Sequence, residues 1–184
     1  MGEVAAAAVR IVTAFAASVA LAVSTGVAAA GDRPDNLVER LFPAGGGVGA
    51  PCYARRYDAR HRGKHRRQTV TFLAVSRRAR GGVESDGGIV LQLEAEVRGK
   101  RERFEGSIYC KPEGTGSRCH VEGDGGSLML TPDKGRLRVE PGEQGIGLEG
   151  SVFISFGAAG SDDRVLLLDK TDDARACGPA QGVE

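Results

Sequence analysis

Tryptophan is absent, aromatic residues make up 5% of the 184-residue chain, and only two methionines and three histidines occur. So few rings argue against a surface that reads single-stranded nucleic acid by stacking bases. No charge of one sign dominates, since 25 basic side chains meet 24 acidic ones. That balance excludes a uniformly basic nucleic-acid binder, and no nucleic-acid partner is expected. The chain has no G-x-S-x-G elbow, no H-E-x-x-H pair and no G-x-x-x-x-G-K-[ST] phosphate loop, the signatures of common hydrolases, zinc proteases and nucleotide-binding enzymes. It also has no C-x-x-C pair, the usual frame of a thiolate metal site. The carboxylate pairs Asp162-Asp163 and Asp172-Asp173 read as solvated loops. No constellation selects a catalytic centre, and no enzymatic activity is expected.

What is present sets the class. The length suits one domain with a real core, and 41% hydrophobic residues argue against wholesale disorder. Twenty-eight glycines do not suit a long-helix protein. Residues 1–30 pass from Arg10 through an uncharged apolar run to Ala28-Ala29-Ala30. This is the grammar of a cleaved secretory leader, so the mature protein is expected to be exported, periplasmic or extracellular, and not membrane-spanning.

Four cysteines, Cys52, Cys110, Cys119 and Cys177, fit that address, because exported chains use even numbers of them as disulfides. Three connectivities are open. Cys110 and Cys119 flank a run of turn formers and would face each other across a hairpin. Cys52 and Cys177 would then tie the start of the domain to its end.

Residues 31–51 are expected to hold a short helix, near 35–43, and a Gly-rich link. From 52 to 178 the chain reads as a disulfide-stapled β-domain, with a flexible tail at 179–184. Ile89, Leu91, Leu93, Ala95 and Val97 alternate with polar residues, as do Phe104, Ile108 and Cys110, the mark of half-buried strands. Leu128/Leu130, Leu137/Val139, Thr69–Ser76 and Val165–Asp169 add further candidates. Ile146, Leu148, Val152, Ile154 and Phe156 read as one face of a long strand bent at Gly150. Asp-Gly and Pro-Gly turns separate the runs, too short for crossover helices. The repeated Val-Glu-x-Asp-Gly-Gly at 83–88 and 121–126 reads as two similar turns. The expected fold is all-β: an antiparallel meander of about eight strands, a small barrel or sandwich, with a short helical lead-in. A barrel of that size is filled or holds one small ligand.

The charge balance hides a basic first part and an acidic second. Arg55, Arg56, Arg60, Arg62, Lys64, Arg66 and Arg67 form a segment opposed only by Asp58. It can dock on acidic strand faces through Glu94, Glu96 and Glu105, or bind an envelope polyanion such as lipid or glycan. With Asp58 as a helix cap, Tyr57, His61, His65 and Gln68 share one stripe. That stripe can pack inward on the barrel. Alternatively, His61 and His65, completed by His120 or Asp58, can hold a transition metal, the one cofactor the sequence suggests. The neighbouring cations oppose such a site.

The opening Cys52-Tyr53-Ala54-Arg55-Arg56-Tyr57-Asp58-Ala59-Arg60-His61, with His65 and Gln68-Thr69-Val70-Thr71, resembles that of a group of exported bacterial β-rich proteins without an assigned activity. Cys110 and the stretch Cys119-His120-Val121-Glu122-Gly123-Asp124-Gly125-Gly126 fit the same group, which often carries Cys where this chain has Gly123. The resemblance implies an envelope protein and supplies no substrate. The sequence therefore predicts a monomeric, non-enzymatic binding or interaction module whose partner is a protein or an envelope anion.

Overall fold

Alternation decides the architecture. Ile89, Leu91, Leu93, Ala95 and Val97 are all buried on one face, as a period-two pattern requires. The structure, a computed structural model, describes residues 37–43, 51–77, 86–173 and 176–177. In chain order these form α1 (Leu37–Leu41), β1 (Cys52–Arg56), α2 (Ala59–Lys64), β2 (Val70–Arg77), β3 (Ile89–Val97) and β4 (Phe104–Glu113). There follow β5 (Gly116–Val121), β6 (Gly126–Asp133), β7 (Arg136–Leu148), β8 (Ile154–Phe156) and β9 (Leu166–Thr171). The expected leader at 1–30, the Gly-rich stretch 44–50 and the tail at 179–184 lie outside the described residues. Among the described residues no helix is long and apolar enough to cross a membrane.

Eight strands close into an antiparallel barrel. Sequential neighbours pair from β1 to β7; β9 then pairs with β7 on one side and β1 on the other. β8 stands outside this ring, paired only with the far half of β7. Closure removes the open edges that would invite edge-to-edge aggregation. The β9 seam is short: three residue pairs join it to β1 and three to β7. Below the β1 pairs, the Tyr57 hydroxyl donates to the Leu167 carbonyl at 3.2 Å.

The barrel is filled. Leu73, Ile108, Cys110, Cys119, Leu137, Val139 and Leu168 are all fully buried, in one continuous apolar cluster. Each aliphatic side chain of this size contributes roughly 1.5–3 kcal/mol when fully buried. α1 closes one end, placing Val38 and Phe42 in the cluster, with Phe42 edge-on to Tyr53 at 5.3 Å. Arg77 donates to the Phe42 carbonyl at 2.6 Å and so holds the helix end down. Cys110 and Cys119 are directly opposed on β4 and β5, and their disulfide lies inside the barrel. The second disulfide, Cys52–Cys177, lies outside it in a small cluster with Ala54, Phe72 and Ala74.

Three local readings change. Residues 146–156 are not one bent strand but a hairpin: Ile146 faces Phe156 and Leu148 faces Ile154. Val152 and Phe153 sit in its turn, 43% and 65% exposed. Arg55 and Arg56, read as the start of a basic segment, belong to the barrel strand Cys52–Arg56. Asp163 is not a solvated loop residue. It is fully buried and accepts hydrogen bonds from Thr69 N, Thr69 Oγ1 and Val70 N at 2.6–3.1 Å.

β7 carries the main distortion. Its first half runs between β6 and β9; its register against β6 then shifts, and Gly126 meets Ile146. Gly126 and Gly145 both have positive φ there, 83° and 81°. A Cβ on either would collide with backbone oxygen, that of Gly145 or of Phe156 respectively. The turned half of β7 reaches the start of β4, where Glu149 bridges Glu105.

Candidate functional site

The end of the barrel opposite α1 gathers the chemistry-bearing residues. Asp58, in extended conformation, caps α2 by accepting from His61 N at 2.7 Å, satisfying one of the free amides of a first turn. Without a buried residue of its own, α2 is held to the barrel at its two ends, by Tyr57 and by Gln68.

The expected stripe forms, graded in depth. Tyr57 is buried, His61 half-buried and His65 exposed. Their rings follow one another at 5.0 and 4.5 Å, and the Arg55 guanidinium lies over the Tyr57 ring, 5.3 Å from its centroid. Burial holds the Tyr57 phenol above its ordinary pKa, against the opposing pull of Arg55. Gln68 is 2% exposed; its Nε2 donates to the Val70 carbonyl, which leaves its Oε1 to accept from His61 Nε2 at 2.9 Å. So the inward packing expected of all three residues holds fully only for Tyr57.

His120 lies elsewhere, on β5 opposite Tyr109 and Ser127. Among the described residues no three His, Cys, Asp or Glu side chains come together. His61 and His65 are adjacent, but the hydrogen bond to Gln68 already uses one nitrogen of His61.

The basic segment divides into engaged and unengaged cations. Arg56 forms a two-pronged pair with Glu96 at 2.7 and 2.8 Å, the self-docking expected of it. Arg103 reaches the same Glu96 and also Glu94, and the two arginines flank the Phe72 ring at 4.9 and 4.4 Å. Glu105, the third expected docking acid, accepts from Gln92 instead. Asp162 accepts from Arg67 N and lies 3.6 Å from its guanidinium. Arg62 turns back on the Asp58 carbonyl. Arg60, Lys64 and Arg66 stay exposed, with no side-chain hydrogen bond or ion pair among the described residues.

Sequence reading missed two features of this end. The β3–β4 turn carries exposed Arg98, Lys100 and Arg101, and Arg98 N donates to the Thr69 carbonyl at 2.8 Å. That bond seats the turn beside the α2–β2 connection. The cue was a short basic run at 98–103, visible but separated by thirty residues from the first. Secondly, Gly145-Ile146-Gly147-Leu148-Glu149-Gly150 has the G-x-G-x-x-G spacing. It lies in β7 and the β7–β8 turn, and the element that follows is the strand β8, so it lacks the strand-to-helix context of a dinucleotide site.

Chemically, this end offers cationic attraction and hydrogen-bond donors. The side-chain hydrogen-bond partner of His61 is an amide, Gln68, rather than a hydroxyl or thiol. Comparison with protein-family models, curated proteins and solved structures finds no match.

Proposed function

We propose that this protein is a non-enzymatic, exported binding module that works through its outer surface and not through a ligand held inside the barrel. The observation that carries the reading is the filled interior: one apolar cluster runs from Val38 and Phe42 at one end to Phe104, Ile146 and Phe156 at the other. A small-ligand carrier of eight strands needs that volume for its cargo. Export is supported by two disulfides, which persist in oxidising compartments. The surface best suited to a partner is the basic rim at α2, where charge is left uncompensated by the chain itself.

Native mass spectrometry of protein purified from the exported fraction tests this reading. The expected mass is a chain with two cystines and no small molecule. A co-purified organic mass that leaves only on unfolding overturns the surface reading. A stoichiometric metal ion lost in His61→Ala replaces it with the metal-binding alternative at His61 and His65.

A further inference from the structure

Two basic stretches, far apart in sequence, form one arc of the barrel rim. Arg60, Lys64 and Arg66 come from α2 and the connection after it; Arg98, Lys100 and Arg101 come from the β3–β4 turn. The hydrogen bond from Arg98 N to Thr69 O joins the two stretches. All six side chains are exposed, and none has an ion pair or a side-chain hydrogen bond among the described residues. Nearby carboxylates are already committed: Asp58 to the α2 cap, Asp162 to Arg67, Asp163 to β2 and Glu96 to Arg56 and Arg103.

The rest of the same rim has the opposite sign. Glu122 and Asp124 lie exposed in the β5–β6 turn and Glu149 in the β7–β8 turn. Within the arc's own β3–β4 turn, Glu102 follows Arg101 and accepts from the Ser151 hydroxyl. A flat anionic bilayer laid over this end would meet those carboxylates together with the cations. A linear polyanion can follow the basic arc alone. On the arc Tyr57 is buried, no Phe or Tyr is exposed and His65 alone presents a ring, so a run of bases would find one small platform and not a series.

We propose that the arc Arg60–Lys64–Arg66 and Arg98–Lys100–Arg101 binds a linear acidic polysaccharide through its carboxylate or sulfate groups. The proposal rests on the surface-acting reading above and names the partner of that surface. Arg62, half-buried beside the cap, borders the arc without being free.

The test uses the exported chain with polygalacturonate and heparin as carboxylate and sulfate probes, in calorimetry over a range of sodium chloride concentrations. Binding to at least one probe is expected. If all six cations engage, each doubling of salt should weaken it roughly twenty- to forty-fold, the steepness of counter-ion release from linear polyanions. Two triple variants divide the arc: Arg60→Ser/Lys64→Ser/Arg66→Ser and Arg98→Ser/Lys100→Ser/Arg101→Ser. The second keeps the Arg98 backbone donor, and thermal melts of both variants should match the parent. Each triple should weaken binding at least about ten-fold and flatten the salt dependence by about half. Loss in the α2 triple alone overturns the composite arc. Tighter binding to anionic phospholipid vesicles or to single-stranded RNA than to either probe overturns the polysaccharide assignment. No binding to either probe at low salt overturns the proposal, and the surface-acting reading then stands or falls on the mass measurement alone.

Discussion

Glu94 and Glu96 lie two residues apart on one face of β3 and share Arg103, yet their carboxyls move in opposite directions. Burial raises the pKa of Glu94, against the pull of Arg103. The hydrogen bond from Arg56 lowers that of Glu96, against its smaller burial. A carboxyl raised on folding adds stability below its ordinary pKa and loses it as pH rises through the raised value. One that is lowered adds stability above its ordinary pKa and loses it as pH falls. Replacing each by Gln should therefore give opposite trends in urea titrations at pH 3, 4, 5 and 7. Relative to the parent, Glu94→Gln should improve as pH rises from 4, and Glu96→Gln should worsen as pH rises from 3. Parallel trends would contradict the two environments described. Asp163 is a separate case, because it is fully buried and three of the hydrogen bonds it accepts come from the start of β2. Asp163→Ala should cost about 3 kcal/mol or more in the same titration, since it strands buried donors.

At the scale of elements, the bend in β7 depends on backbone that only glycine adopts without strain. Gly145→Ala should cost more than about 2 kcal/mol, combining a left-handed φ with a collision against the Phe156 carbonyl. Guanidinium titration reads the loss directly, and a neutral result would show that the hairpin relaxes. The same hairpin explains a misreading. Paired residues of a hairpin share a face, so Ile146 and Leu148 keep the parity of Ile154 and Phe156 across the intervening turn. Alternation alone cannot tell that arrangement from one long strand. The strands legible in the sequence, β3 and β4 above all, have one face buried along most of their length. β1 was obscured because inward-facing Arg55 stands in the place where an apolar residue would mark the pattern. For the site, the cations were legible but their selection was not. Arg56 is neutralised by Glu96, 40 residues away, and Arg67 is held by Asp162, 95 away. Such pairings depend on strand register, which the local sequence does not carry.

Over the whole molecule, two disulfides of unequal span hold one barrel. On chain-entropy accounting, the bond closing a sequence separation of 9 contributes about 3 kcal/mol and the one closing 125 about 5 kcal/mol. Cys52→Ser/Cys177→Ser should therefore lower stability more through the unfolded state, with little change at the exposed end of the native fold. Cys110→Ala/Cys119→Ala removes less entropy but opens space among fully buried side chains. Unfolding rates separate the two. The interior pair should unfold distinctly faster, while the outer pair should mainly refold more slowly; equal shifts in both would refute this division.

The Cys52–Cys177 bond joins residues beside the first and last strands of the ring, where β1 and β9 are themselves neighbours. Tension applied to the polypeptide on either side of that pair passes through sulfur and bypasses the sheet. In an optical trap, handles placed outside residues 52 and 177 should release α1 from the barrel end and extend the outlying chain, with no rupture step from the strands. Adding a reductant should restore a step whose length reports the 125-residue separation now released. The molecule is thus wired as a mechanical shunt: a load transmitted along its backbone bypasses the strands and the basic rim they carry.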